Sequence, residues 1–222
     1  MSGSGIVPYD NVWLVTLHPK VGPVIERGLS TDHVRFMTID GRRYLSRIES
    51  EADVVAPAGR PAESAISSTF NIFDAGTMAP RHGEARSSDG DSMVREFDGR
   101  TVVTALRETG GAPVKSTTMT TAEAAFDAHG GMTGLLLTAL PLRIGYRARI
   151  PGMGDSALDY TEIHVVRREA VKAGRLGKVS AWVVDIGPSP AASTYWISKR
   201  APYVMRAVVR GPKGYASWDM TD

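Results

Sequence analysis

Short segments in which apolar and polar residues alternate follow one another from residue 142 to residue 220. The clearest alternation lies in segments 146–150, 179–186 and 203–210, and Gly, Pro, Asp or Ser residues separate the segments. Successive side chains of a strand point to opposite faces, so a period of two predicts β-strands joined by turns. The pattern predicts a mainly β protein, built as a curved antiparallel sheet or an open barrel.

Two Asp-Gly pairs lie between alternating segments in the first half of the chain. Asp40-Gly41 and Asp98-Gly99 suit two-residue turns that need positive φ, so each predicts a β-hairpin. Residues 50–64 and 74–92 lack an apolar period and are predicted as loops, the second of them long and mobile. The predicted strands of this half are 12–18, 33–39, 42–49, 65–73, 93–97, 100–107 and 114–120.

One segment departs from the β pattern. Residues 131–140 predict a helix of about three turns, which Pro141 ends. Leu135, Leu136 and Leu137 make this helix apolar nearly all round, so we expect it to be buried against the sheet. Segment 178–186 is apolar on both faces and therefore needs cover on both sides.

The length of 222 residues suits one β-rich domain over residues 6–222, with a weak internal division near residues 74–92. Residues 1–5 have the composition of a cloning scar or a disordered N-terminus, with no basic or strongly apolar leader. This sequence shows no native signal peptide, and it is compatible with a protein from which a signal peptide has been removed.

The net charge of +2 and the scattered basic residues argue against a nucleic-acid partner. The chain has no cysteine, which excludes disulfides and thiolate metal sites. No apolar run is long enough to predict a transmembrane segment. This composition is compatible with a bacterial periplasm or cell envelope, and equally with the cytosol.

Several short apolar motifs resemble an uncharacterised family of β-rich domains from bacterial envelope and secreted proteins. The resemblance covers roughly residues 93–220, and it implies a curved antiparallel sheet around a helix, similar to the half-barrels of bacterial lipoprotein carriers. It carries over no catalytic residue. The motifs are Phe126-Asp127, Leu140-Pro141-Leu142, Gly145-Tyr146, Trp182-Val183-Val184, Thr194-Tyr195-Trp196-Ile197 and Tyr203-Val204-Met205-Arg206.

Two pairs of a histidine and a carboxylate are candidate catalytic groups. Glu162 and His164 lie two apart on one predicted strand and share a face, while Asp127 and His129 lie beside the helix start. Meeting in the fold, the pairs would form a general-base site of a small lyase or hydrolase. The plainer interpretation is a solvent-facing strand pair and a helix cap. No spacing predicts a metal site or a cofactor.

Aromatic residues on the last strands are candidates for a ligand pocket. Side chains on neighbouring strands of a curved sheet can line a gap between the sheet and the helix. The alternative is ordinary core packing. The candidate ligand-binding residues are Trp182, Trp196, Trp218, Tyr146, Tyr195 and Leu136.

The function that this sequence favours is non-catalytic: binding of a small apolar or amphipathic molecule, or a role in envelope assembly. The lyase or hydrolase is one alternative. A module that forms homodimers through an exposed strand edge is another.

Overall fold

One large antiparallel sheet of fifteen strands forms most of the protein. The computed structural model describes residues 2–53, 66–110, 113–127, 132–154, 157–187 and 190–221. The strands are β1 Tyr9–Pro19, β2 Ile25–Ile39, β3 Arg42–Asp53, β4 Ile66–Asp74, β5 Pro80–Ser87, β6 Ser92–Asp98, β7 Thr101–Arg107, β8 Lys115–Thr120, β9 Phe126–Asp127, β10 Arg147–Met153, β11 Leu158–Lys172, β12 Lys178–Ile186, β13 Ser193–Ile197, β14 Val204–Gly211 and β15 Gly214–Met220. One α-helix, α1, spans Met132–Thr138, and a 3₁₀ turn spans Gly174–Leu176.

The sheet consists of two meanders that meet where the first strand pairs with the last. Strands β1 to β8 follow one another outward on one side of the β1–β15 ladder, and β15 to β10 follow one another on the other. The short strand β9 lies parallel to β10 at the far edge, while every other pairing is antiparallel. The sheet is curved and does not close through backbone pairing. The predicted fold class is therefore confirmed.

Both predicted Asp-Gly hairpins are present. Asp40 and Gly41 have φ values of 49° and 75° between β2 and β3, and Gly99 has a φ of 59° between β6 and β7. Glycine and aspartate tolerate this left-handed conformation better than most residues, which is why the pair signals a tight turn.

The predicted short helix is confirmed, with narrower bounds than 131–140. Leu135, Leu136 and Leu137 are 1%, 5% and 0% exposed, so the leucines are covered as expected. Leu137 packs with the core of the β10–β15 meander, whereas Leu135 and Leu136 pack with the core under β1 to β4. The helix thus lies between the two halves of the curved sheet.

The predicted loop over residues 74–92 is wrong, because strand β5 occupies Pro80–Ser87. The strand pairs with β4 on one side and with β6 on the other, so backbone hydrogen bonds hold it in place. The alternation of β5 is hidden because the buried residue at its centre is Gly83. Gly83 pairs with Asn71 on β4 and with Arg95 on β6, and both of these partners are buried polar residues. A glycine at the inward position adds no apolar side chain to the pattern, so the period of two is not visible in this strand.

Residues near the N-terminus pack against the fold. The Ser2 amide donates to the Ala139 carbonyl at 3.3 Å, and the Gly3 amide donates to the Gly76 carbonyl at 3.0 Å. A Cβ at Gly3 would lie 2.4 Å from the Ala75 carbonyl oxygen, so only glycine fits this approach. These contacts hold residues 2 and 3 against the fold.

Two ends of the curved sheet come together through side chains. Arg95 on β6 is fully buried and donates from Nη1 to the Met153 carbonyl at 3.1 Å and from Nη2 to the Gly154 carbonyl at 2.8 Å. A small apolar cluster lies beside this contact and contains Phe97, Val102, Ala125 and Met153. The sheet is therefore drawn into a barrel-like shape without a closing ladder.

Candidate ligand-binding cavity

A cavity of about 270 Å³ lies inside the curve, between strands β2 to β4 and strands β13 to β15. This is close to the lower end of the range typical of small-molecule pockets. One side of the lining is aromatic and aliphatic, and the other is charged and hydroxylic. The lining residues are Trp13, Tyr195, Trp218, Val204, Ala207, Val209, Asp32, Arg47, Glu49, Glu51, Ser67, Ser68 and Thr69.

The two indole rings of the cavity are held by hydrogen bonds from their nitrogens. Trp13 Nε1 donates to the Val204 carbonyl at 3.1 Å, and Trp218 Nε1 donates to Glu51 Oε2 at 3.3 Å. A buried indole keeps its N–H paired and leaves its apolar faces for packing. Ala207 on β14 pairs with Trp218 and adds only a methyl group to the lining.

A buried ionic cluster forms the floor of the cavity. Arg47 on β3 and Asp32 on β2 are both 1% exposed, and Arg47 Nε lies 2.8 Å from Asp32 Oδ1. Arg47 Nη2 lies 3.2 Å from Glu49 Oε2, and the Tyr9 hydroxyl donates to Asp32 Oδ2 at 2.8 Å. Buried charges are tolerated only when they are paired in this way.

The pKa values of this cluster follow from burial and from the opposing charges. Burial raises the pKa of Asp32, although Arg47 acts in the opposite direction. Burial disfavours the charged guanidinium, but the carboxylates of Asp32 and Glu49 outweigh it and raise the pKa of Arg47. Burial also raises the pKa of Tyr9, with a further contribution from Asp32. Arg47 therefore stays cationic, and Tyr9 stays a hydrogen-bond donor.

The cluster is not fully satisfied by protein groups. Within the described part of the chain, Arg47 Nη1 has no hydrogen-bond partner, and neither does Asp32 Oδ1. The 2.8 Å contact between Arg47 Nε and Asp32 Oδ1 is an ion pair whose alignment does not make a hydrogen bond. An unmade hydrogen bond on a buried group costs about 1–3 kcal/mol. The cavity floor thus keeps one unpaired donor, Arg47 Nη1, and one poorly paired acceptor, Asp32 Oδ1.

Two carboxylates reach the cavity from β3 above this floor. The side chains of Glu49 and Glu51 are 14% and 18% exposed. Ser30 Oγ donates to Glu49 Oε1 at 3.4 Å, and Arg27 lies 3.7 Å from Glu51. Burial, followed by the negative charge of Glu49, raises the pKa of Tyr195 to about 12, so Tyr195 stays protonated at the wall.

The structure brings some of the predicted aromatic residues together and separates others. Tyr195 and Trp218 line the cavity. Trp196 follows Tyr195 in the strand and therefore faces the opposite side, where its Nε1 donates to Glu169 at 2.5 Å. Trp182 is half-buried, with Arg168 5.2 Å from its ring centre, and it does not line the cavity.

Tyr146 and Leu136 also lie away from the cavity. Tyr146 packs at the margin of the β10–β15 core, while Leu136 lines a crevice of only about 20 Å³ between α1 and the sheet. Side chains therefore fill the space under the helix. The open space lies beyond Tyr195, farther along the inside of the curve.

The structure describes only some of the residues in the two predicted pairs of a carboxylate and a histidine. Glu162 and His164 lie on β11 opposite Arg149 and Arg147 of β10, with Glu162 exposed. His129 lies outside the described residues, as does the side chain of Asp127, whose backbone belongs to β9. Among the described residues, no group of three or more acidic and histidine side chains is arranged to hold a metal ion.

Sequence reasoning missed the floor of the cavity. The signal was present, because Asp32 shares a strand face with Val34, and Arg47 shares one with Leu45. Val34 and Leu45 are 0% exposed, so the alternation predicts that the charged neighbours also point inward. A charged residue at a core-facing strand position is the pattern that finds such a site.

Comparisons with known proteins agree with this architecture. The family model described as "Protein of unknown function (DUF3108)" matches residues 64–211. The chain is also similar to the crystal structure of a beta-barrel-like protein of the domain of unknown function DUF1849 from Brucella abortus. That likeness has a TM-score of 0.61 at 10% sequence identity and covers 98% of this chain and 97% of the other, so it is a likeness of fold.

No curated protein matches the sequence. The described residues include no helix with the length and apolar character that crossing a membrane requires. The family match begins just before β4 and ends at the last residue of β14, so it takes in α1 and part of each meander but not β1 to β3 or β15. With two thirds of its length matched, this chain belongs to the DUF3108 family of uncharacterised β-rich domains.

Proposed function

We propose that this protein binds a small amphipathic molecule in the cavity between β2–β4 and β13–β15, without chemical conversion. The observation that carries the proposal is the two-sided lining. Trp13, Trp218 and Val204 form an apolar wall, and this wall faces the floor made by Arg47 and Asp32. A molecule with one apolar end and one polar end matches both sides at once.

The size and access of the cavity support a small guest. Its volume of about 270 Å³ holds a short chain or a fused ring, but not two long acyl chains. Ser67 is exposed and Val209 is 39% exposed, so these lining residues lie at the mouth and leave a path from solvent. The deeper lining residues are buried and preformed, which lowers the cost of ordering on binding.

The setting of this binding is part of the same proposal. The apolar motifs of the last strands, including Trp182-Val183-Val184, resemble an uncharacterised family of β-rich domains from bacterial envelope and secreted proteins. A carrier or assembly role in a bacterial envelope would use such a cavity to shield the apolar part of an amphiphile from water.

The test is titration of the folded protein with N-phenyl-1-naphthylamine, an apolar fluorescent probe. Probe emission should rise saturably while tryptophan emission falls, because Trp13 and Trp218 line the site. Ala207→Leu should weaken binding by about tenfold or more, since the added methyl groups occupy the cavity. Ala170→Leu is the matched control, because Ala170 is exposed on β11 away from the cavity.

Circular dichroism and thermal unfolding should show that both variants remain folded. Equal affinity of Ala207→Leu and Ala170→Leu would place the probe elsewhere and contradict the proposal. So would the lack of saturable binding to the unmodified protein.

A further inference from the structure

The floor of the cavity contains a buried donor and a buried acceptor that lack well-formed hydrogen bonds to protein groups. Within the described residues, Arg47 Nη1 is an N–H donor without an acceptor, and Asp32 Oδ1 is met only by the poorly aligned 2.8 Å ion pair with Arg47 Nε. Both residues are 1% exposed and both line the cavity. A guest that completes the floor by direct contact therefore accepts from Arg47 Nη1 and donates to the carboxylate of Asp32.

This requirement separates the common types of head group. A carboxylate or phosphate only accepts, and a substituted ammonium at most donates. A hydroxyl group does both, and a ring with several hydroxyl groups does so in several directions. Ser67, Ser68 and Thr69 add further hydroxyl groups along β4, which suits the same kind of head.

The charge of the lining also argues against an anionic head. Three lining carboxylates, Asp32, Glu49 and Glu51, face one lining guanidinium, Arg47, which leaves an excess of two negative charges when all are ionised. Arg27 beside Glu51 offsets one of them. An anion at the floor would meet like charges in a partly dehydrated site, where such repulsion is strong.

The aromatic walls fit a sugar ring as well as an alkyl chain. Trp13 and Trp218 keep their indole nitrogens bonded to protein groups, so their ring faces are what they offer a guest. The C–H face of a pyranose is apolar and packs on an aromatic face, while its hydroxyl groups remain at the ring edge.

From these observations we infer that the ligand carries an uncharged polyhydroxy head, of the sugar type, on a short apolar chain. The inference rests on the proposed function, because it assigns the head-group class for the same cavity. The head lies toward Arg47 and Asp32, and the chain lies along Trp13, Trp218 and Val209 toward the mouth.

The experiment uses three amphiphiles with one eight-carbon chain, each below its micelle concentration. Octyl glucoside is neutral, octanoate is anionic and octyltrimethylammonium is cationic. Their affinities are measured by calorimetry and by the change in tryptophan emission. Octyl glucoside should bind at least about tenfold more tightly than either ion. Methyl glucoside tests the head without the chain and should bind far more weakly than octyl glucoside.

A variant tests the role of charge without emptying the floor. Glu51→Gln keeps the shape of a side chain that is 18% exposed and removes one negative charge. It should lower the ratio of glucoside affinity to octanoate affinity by about fivefold or more. Glu26→Gln is the matched control, because Glu26 is exposed on β2 outside the cavity, and its ratio should equal that of the unmodified protein.

The outcomes separate this inference from the proposed function. Tightest binding of octanoate or of the ammonium compound, or equal binding of all three, overturns the head-group assignment while amphiphile binding stands. An unchanged ratio in Glu51→Gln also overturns it. Failure of all three amphiphiles to bind overturns the proposed function itself. Equal affinities of methyl and octyl glucoside show a plain sugar site and overturn the amphiphile proposal.

Discussion

Arg95 and Met153 lie 58 positions apart in the chain, and the contact between them joins two ends of the sheet. The guanidinium Nη1 of Arg95 donates to the Met153 carbonyl at 3.1 Å, inside the protein. Strand β6 belongs to the first meander and β10 to the second. The hydrogen bond between Arg95 and Met153 therefore connects the two meanders, as a closing ladder of backbone hydrogen bonds does in a full barrel. The cavity depends on this curvature, because its two walls come from opposite meanders.

Replacement of Arg95 should therefore destabilise the whole fold. Arg95→Ala removes donors from two carbonyls and empties the volume of a fully buried side chain, which should lower the free energy of unfolding by about 3–5 kcal/mol. Arg107→Ala on the neighbouring strand is the control, because Arg107 is exposed and should cost within about 0.5 kcal/mol. Denaturant unfolding measures both, and equal midpoints would show that the contact does not hold the sheet.

Leu136→Ala tests the burial of the helix. Leu136 is 5% exposed between α1 and the sheet, so truncation should cost about 2–5 kcal/mol. Leu176→Ala makes the same chemical change in a 46% exposed side chain and should cost much less. A native-like melting temperature for Leu136→Ala would mean that the helix is not part of the core.

Gly134 lets the helix approach β14 closely. A Cβ added at this position would lie 2.8 Å from Val204 Cγ2. Gly134→Ala improves the helix propensity at this position by about 1 kcal/mol. The clash with Val204 should outweigh this gain and lower the free energy of unfolding by about 1–2 kcal/mol. In a double-mutant cycle, Val204→Ala should relieve the clash, so the double variant is more stable than the sum of the single changes predicts. Strict additivity would contradict this account.

Asp74 provides a pH-dependent contribution to stability. Its Oδ1 accepts from the Thr77 amide at 2.8 Å and from the Gly76 amide at 3.0 Å. The hydrogen bond from the Thr77 amide is the largest cause that lowers the pKa of Asp74 below 3.8. The stabilisation is therefore complete above that value and is lost as the pH falls through the lower folded pKa.

Asp74→Ala should consequently destabilise the protein at about pH 6, and the difference from the unmodified protein should shrink toward about pH 2.5. Asp74→Asn keeps an acceptor and should show a smaller loss with a weaker pH dependence. Unfolding free energies measured across this range provide the comparison. A difference that stays constant with pH would rule out the ionised carboxylate as the source.

The local pattern of apolar and polar residues was sufficient to predict most of the secondary structure. Period-two alternation and the Asp40-Gly41 and Asp98-Gly99 turns predicted hairpins that are present, because strand alternation and turn φ values depend on neighbouring residues. The burial of Leu135–Leu137 followed in the same way. Strand β5 was missed since Gly83 has no side chain to mark its inner face, and its place is set by ladders to β4 and β6.

The residue pattern is enough to predict a curved antiparallel sheet with one buried helix, whereas the position of the cavity depends on contacts between residues far apart in the chain. Trp13 and Trp218 come to one wall because the first and last strands pair, a contact between residues about two hundred positions apart. Arg47 and Asp32 become a floor because the opposite meander curves over them and excludes water. The local alternation marks Asp32 and Arg47 as inward-facing, but it does not show that they meet in one cavity with Trp13 and Trp218, because that depends on how far the sheet bends before Arg95 reaches β10.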